Sequence, residues 1–277
     1  MLAGVAFRPG LRAWLAAEPR DVGCIELRVD DALAEARPSR AARLASWPRV
    51  LHAPQLSVGT RGPVDPLELE RVARATRTVH PLWIGVYLGW RHRPEPDACY
   101  PQPVAPSRDG VSQVVANCRQ LIETCGRPVL LENVTAFGAT PATLAHGEFL
   151  NRVCNEAGCR LLVDVTALTI DARLGFDWGG WLRDVDPGHV AALHLGGWLD
   201  DGRGRWAARH AGPIGEDAWA LARELVGRSP ISAVILQSDG PCVDLAELQA
   251  DLRRLAAWDR VPALPSTFDR PAVAQLG

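Results

Sequence analysis

One pattern constrains this chain more than any other: short apolar runs that end in a residue able to hold a metal or carry a proton. Pro128-Val129-Leu130-Leu131-Glu132-Asn133-Val134 lies roughly midway along the sequence. Cys159-Arg160-Leu161-Leu162-Val163-Asp164-Val165 and Val190-Ala191-Ala192-Leu193-His194-Leu195 repeat its shape at intervals of about 30 residues. Runs of this kind, apolar with little alternation, describe strands buried on both faces. Strands so spaced, with a helix between each pair, close into a parallel barrel whose C-terminal strand ends converge on one site. The expected fold is therefore α/β, a single (β/α)8 barrel over residues 1–277, with 261–277 as a surface tail.

The remaining elements fit that frame. Gly23–Val29 reads as the first strand, with Glu26 and Arg28 on one side of it. Arg49–Pro54 is a short strand ending in His52, Trp83–Leu88 is the third, and Ile231–Gln237 is the eighth. A weak seventh strand is expected near Arg205–Ile214. Helices are expected at Arg12–Glu18, Ser39–Ser46, from Pro66 behind an Asp65 cap, at Ser107–Cys125, Phe149–Ala157, from Gly175, at Glu216–Gly227 and at Leu245–Trp258. The Pro- and Arg-rich stretch Gly89–Ser107 is too long for an ordinary connection and reads as a lid or binding loop.

Composition removes several functions. A formal net charge of −2 and a pI near 6.4 give no electrostatic case for nucleic acid or an anionic membrane. The basic residues are all arginine, which excludes a Schiff-base lysine, a pyridoxal phosphate aldimine and a phosphate-loop lysine. The seven cysteines form no CxxC pair, against a disulfide framework or a thiolate zinc site. With no basic segment before a long apolar run at the start, and no run of 18 apolar residues, a soluble cytoplasmic protein is expected. There is no G-x-S-x-G and no dinucleotide glycine fingerprint.

What remains is the chemistry of the strand ends. A carboxylate such as Glu132 or Asp164 behind several apolar residues must be paired, protonated or metal-bound. His194 and His52 end strands beside them, and His210 stands in Arg209-His210-Ala211-Gly212-Pro213. His80, His92, His146 and His189 fall in loops or at helix ends and read as solvated. Oxygen and imidazole donors without thiolate suit iron, manganese or zinc. Two carboxylates in a barrel also suit glycoside hydrolysis, which leaves His52 and His194 unused. Trp90 and Trp198 directly follow strands and are placed to line a substrate groove.

The runs Arg49–His52, Leu130–Val134, Leu161–Val165 and Leu193–Gly197, with Gly175-Phe176-Asp177, resemble the multinuclear non-haem iron-dependent oxidases, a family that includes the methanobactin biosynthesis enzyme. The resemblance runs in register from Gly4-Val5-Ala6-Phe7-Arg8-Pro9 to about Gly240. It implies a xylose-isomerase-like barrel, two or three irons, dioxygen, a ribosomally made peptide as substrate and often a partner protein that presents it. Family ligands carry over at His52, Glu132, Asp164, His194 and His210. Others do not: Tyr87 and Thr166 stand where the family has histidine and asparagine, Ala208 and Gln237 where it has aspartate and glutamate, and a histidine is missing near Asp171-Ala172-Arg173-Leu174. By this resemblance Glu132, Asp164, His194 and Gln237 form one site. His52, a shared Glu132 and Tyr87 form a reduced second site, and a third keeps little beyond His210. One or two metals, iron or another divalent ion, are expected, with Tyr87, Trp90 and Trp198 at the substrate. The function implied is oxidation of a peptide or related small metabolite. The alternatives are a degenerate barrel that binds a peptide or partner, and a divalent-metal isomerase or hydrolase.

Overall fold

A computed structural model describes residues 1–35, 44, 46–90, 101–135, 140–175, 177–200, 206–209, 212–238 and 243–258. Eight parallel strands close a barrel: β1 Leu2–Ala6, β2 Cys24–Arg28, β3 Arg49–His52, β4 Ile84–Tyr87, β5 Val129–Glu132, β6 Arg160–Asp164, β7 Val190–Leu195 and β8 Ala233–Leu236. They neighbour one another in chain order, and β1 pairs with both β8 and β2 to complete the ring. The helices between them lie outside, so the fold is the expected (β/α)8 barrel.

Two strand assignments from the sequence are corrected. The barrel is closed by Leu2–Ala6 at the N-terminus, and not by a strand near Arg205–Ile214. Trp206–Arg209 instead pairs antiparallel with Trp198–Asp200 in a hairpin that follows β7. The helix Val165–Arg173 also begins directly after β6, where the sequence suggested none before Gly175. Asp164 caps it, its Oδ1 accepting the Ala167 N–H at 3.0 Å. The anticipated tail at 261–277, most of the Ser39–Ser46 helix and the centre of the Gly89–Ser107 loop fall outside the described residues. The two ends of that loop, Gly89–Trp90 and Gln102–Pro103, form a short antiparallel pair.

The period-two geometry of the strands divides the core into two parts. Outward residues such as Val5, Ile25, Leu51, Val86, Leu131, Val163, Leu193 and Val234 pack against the helices. The helix Arg108–Cys125 shows why those helices form. Ser107 Oγ accepts the Gly110 N–H at 3.0 Å, Val111, Val114, Val115, Cys118 and Leu121 are buried on one face, and Gly126 ends it at φ 61°. Burial of each large side chain stabilises by about 1.5–3 kcal/mol.

Inward residues form a separate cluster inside the barrel, including Cys24, Val50, Trp83, Leu130, Leu162, Ala192 and Ile235. Gly4 belongs to this level because a Cβ there would stand 2.4 Å from Ile235 Cδ1 and 2.6 Å from Cys24 Sγ. This cluster is an apolar floor. Two residues further along the same strands stand Glu26, His52, Glu132, Asp164, His194 and Gln237. Period two therefore brings all six to one level, at the C-terminal mouth of the barrel.

Candidate metal centre

The floor dictates what happens above it. Side chains at the mouth are cut off from water below, and the polar ones must satisfy each other. Glu26, His52, Glu132, Asp164 and His194 are each at most 4% exposed. Glu132 is the hub: its Oε2 lies 2.8 Å from His52 Nε2 and its Oε1 2.8 Å from His194 Nδ1. The other nitrogen of His194, Nε2, lies 2.8 Å from Glu26 Oε2. Gln237 donates from its amide nitrogen to Glu26 Oε1 at 3.2 Å, and the same nitrogen stands 2.9 Å from His194 Nδ1. The His52 ring meets the rings of Tyr87 and His194 edge-on, with centroids 5.1 and 5.5 Å apart.

Electrostatics follow from these contacts. Burial alone would raise the Glu26 carboxyl, but the charge and hydrogen bond of His194, with His52 behind them, pull it down to about 2. Glu132 meets the same opposition and is held well below the usual carboxylate range by His194 and His52. For His194 burial opposes the charged form, yet two carboxylates, one on each nitrogen, raise it well above the ordinary imidazole value. Below them Cys24 is pushed up to about 12, by burial first and Glu26 second. It is an inert thiol of the floor.

The structure brings His52, Glu132, His194 and Gln237 together and sets Tyr87 against them. Asp164 lies at the same level on β6, level with His194 in the strand register. One of its oxygens caps the following helix, and Asn133 braces its backbone, accepting the Asp164 N–H at 2.8 Å and donating to the Asp164 carbonyl at 3.2 Å. Thr166 is committed to the scaffold: its hydroxyl bonds both the carbonyl and the N–H of Gly196 at 2.9 Å. Trp90 is half-buried against the outer core. Trp198 lies under the Arg173 guanidinium, 4.6 Å from ring centre to Cζ. His210 and His92 lie outside the described residues. Of the other histidines, His80 ends a helix in the left-handed conformation, and His189 is held between Asn151 and Asn155 at 3.2 and 3.1 Å.

Glu26 is the participant that sequence reasoning passed over. Its signal was present: it follows the buried Cys24 by two residues, as Glu132 follows Leu130 and His194 follows Ala192. Its strand continues into Leu27 and Arg28, so the carboxylate does not end an apolar run and looked like one side of an alternating strand.

The level holds three carboxylates, two imidazoles and one carboxamide. With both imidazoles neutral it gathers negative charge in a water-poor place, which a cation would offset. Oxygen and nitrogen donors of this kind suit iron, manganese or zinc, so the residues fit such an ion in type and charge. As the side chains stand, no group of three among the described His, Cys, Asp and Glu residues is spaced to hold one. The donor atoms are turned onto each other, with Glu132 Oε1 and Glu26 Oε2 each 2.8 Å from a nitrogen of His194.

Comparison with known proteins places this geometry in context. Residues 2–260 match the family model for the RiPP precursor modification enzymes MbnB/TglH/ChrH. A UPF0276 protein of Caulobacter vibrioides is 30% identical over 220 residues, spanning 77% of this chain and 78% of its own. Another, from Rhizorhabdus wittichii, is 29% identical over 207 residues, 74% of each chain. Among solved structures, endonuclease IV from Thermus thermophilus superposes with a TM-score of 0.57 at 16% identity, over 93% of this chain and 98% of its own. The 3-keto-D-glucoside 4-epimerase of E. coli gives 0.54 at 14%, over 94% and 99%. A zinc-soaked TTHB071 protein, also from Thermus thermophilus, gives 0.53 at 21%, over 93% and 98%. At these identities the structures share the xylose-isomerase-like barrel and no more. The match over nearly the whole chain shows more: the protein belongs to the MbnB/TglH/ChrH family of RiPP precursor modification enzymes.

Proposed function

We propose that this protein is a metal-dependent enzyme that oxidatively modifies a ribosomally made peptide in the cytoplasm, with iron as its metal. The observation that carries the proposal is the Glu26–His194–Glu132–His52 chain of hydrogen bonds above a dry floor. Two ionised carboxylates buried there are hard to explain by stability, since apolar side chains would fill the same mouth at no electrostatic cost. Glu132, His194 and Gln237 would hold the ion, with Asp164 beside them and His52 sharing Glu132. An Fe(II) ion held there would supply Lewis acidity and the electrons that activate dioxygen, the oxidant of the peptide.

The chain's own residues have definable tasks. Glu132 ties two imidazoles into one unit, so that neither turns independently. The floor of Cys24, Val50, Leu130, Leu162, Ala192 and Ile235 excludes water from below. His194, flanked by Glu132 and Glu26, would hold a cation through Nδ1 only with that nitrogen unprotonated. Tyr87, at the end of β4, and the Trp90 and Trp198 segments that follow β4 and β7 would meet the peptide, which a partner protein would present. The test is anaerobic loading with Fe(II), then dioxygen and a candidate precursor peptide, read by mass spectrometry. A mass change that requires iron and disappears in Glu132→Ala supports the reading; the same change in Glu132→Ala overturns it.

A second reading is favoured by one specific feature, the closure of the donor atoms on one another. A barrel that has lost catalysis but kept its mouth would bind peptide or partner with the hydrogen-bonded cluster as a plug. Undiminished peptide binding by Glu132→Ala, without any chemistry in the wild type, selects that reading.

A further inference from the structure

We propose that Glu26 is a positioning residue: it accepts the Nε2–H of His194, and so fixes Nδ1 of His194 as the atom offered to a metal. The inference rests on the reading of the cluster as a metal centre and says which atom of His194 faces the ion.

Glu26 comes from β2, three strands from β7 around the ring by way of β1 and β8. It therefore reaches His194 across the barrel interior rather than along a neighbouring strand. The two nitrogens of His194 sit in unlike surroundings. Nε2 faces Glu26 Oε2 at 2.8 Å. Nδ1 faces Glu132 Oε1 at 2.8 Å and the Gln237 amide at 2.9 Å. A metal-binding histidine offers one nitrogen and gives the other's N–H to an outer carboxylate or carbonyl, which sets tautomer and ring plane together.

The two carboxylates are unlike as well. Glu132 joins two imidazoles, His52 and His194, and is the common point of the cluster. Glu26 spends one oxygen on His194 Nε2 and the other on the Gln237 amide nitrogen at 3.2 Å. The first contact is on the His194 nitrogen turned away from Glu132, and the second holds the Gln237 amide beside Nδ1. Glu132 thus has the place of a ligand, and Glu26 the place of the group that orients the His194 ring. Glu26 is 4% exposed above Cys24, and its carboxylate has these two tasks to account for its burial.

The test uses the full chain with Zn(II) and Co(II). In the Zn(II)-loaded wild type, long-range proton–nitrogen correlation spectra of the His194 ring should show Nε2 protonated and Nδ1 bound to metal. The reverse pattern overturns the inference, and no variant is needed to see it. Co(II) titrations followed by visible absorption should show Glu26→Ala binding about 10–100-fold more weakly than wild type with an altered ligand-field spectrum. Glu26→Gln, which keeps the volume and an accepting oxygen, should restore the wild-type spectrum and part of the affinity. If Glu26→Ala matches wild type in affinity and spectrum while Glu132→Ala binds no Co(II), the positioning role falls and the metal centre stands. If wild type itself binds neither ion, the reading of the cluster falls and takes this inference with it.

Discussion

Removing Glu132 tests the energetics of the mouth most sharply. Its carboxylate is 1% exposed and sits 2.8 Å from both His52 Nε2 and His194 Nδ1. Glu132→Ala leaves His52 without that acceptor and leaves His194 paired with Glu26 alone, in a space water reaches poorly. Breaking a buried pair by deleting one partner costs about 3–5 kcal/mol. For a chain of 277 residues, unfolding entropy near the midpoint is about 0.6 kcal/mol/K, so the apparent Tm should fall by about 5–9 °C. Metal adds a second, opposite effect. An ion held at about 100 times its Kd stabilises the wild type by about 2.7 kcal/mol, or about 5 °C. Glu132→Ala should gain none of it. Glu132→Gln keeps the shape and one accepting oxygen, so it should lose less stability than Glu132→Ala and still lose the metal response. The assay is differential scanning fluorimetry, anaerobic, with and without Fe(II) or Co(II). If Glu132→Ala melts within about 1 °C of wild type, or gains as much from metal, the reasoning about the cluster is wrong.

Three further outcomes follow from other parts of the structure. Gln237→Glu places a further carboxylate 3.2 Å from Glu26 and beside His194, so the metal-free protein should melt lower while Co(II) affinity rises by about tenfold or more, as ligand charge increases; unchanged affinity would count against Gln237 as a donor. Leu130→Ala opens a cavity in the floor directly beneath Glu132, where the side chain is fully buried, and should cost about 2–5 kcal/mol in urea unfolding with an unchanged slope; a loss under about 0.5 kcal/mol would mean the floor is not packed as described. Asp251 carries the pH prediction: burial, then Glu247, pushes its carboxyl from 3.8 up to about 6 against the pull of Arg254. Because the folded value is raised, stability is greatest below the unfolded value and is lost as pH rises through about 6. With Asp251 half-exposed, Asp251→Asn should stabilise by roughly 1 kcal/mol at pH 8 after allowance for solvent screening, with the gain shrinking toward pH 4; equal gains at both pH values would refute it.

How far the sequence foretold this arrangement depended on how each strand is buried. β5, β6 and β7 are covered on both faces, so their side chains are apolar almost throughout and the polar residue at the mouth stands out at once. Leu2–Ala6 is buried from Gly4 onward but is built from Leu, Ala, Gly, Val and Ala, residues of modest strand preference. It is a strand because β2 and β8 hydrogen-bond it from both sides, and Gly4 is there because Ile235 and Cys24 fill the space a side chain would take. That is tertiary context, which no local pattern carries. Trp206–Arg209 shows the converse, a segment with strand character that pairs outside the barrel because Trp198–Asp200 offers an antiparallel edge nearby. Glu26 was hidden for a related reason. On one strand alone a carboxylate two residues past a cysteine says little. Set beside Val50–His52, Leu130–Glu132, Ala192–His194 and Ile235–Gln237, the same step of two marks the level at which a closed barrel must converge.

Anomalous diffraction at the metal's absorption edge, from crystals of the protein loaded with Fe(II) or Co(II), tests the central claim most directly. The account predicts a peak in contact with the Glu132 carboxylate and with Nδ1 of His194, with Glu26 still on Nε2. A metal-loaded crystal with its anomalous peak away from Glu132, or with no peak inside the barrel mouth, would contradict it.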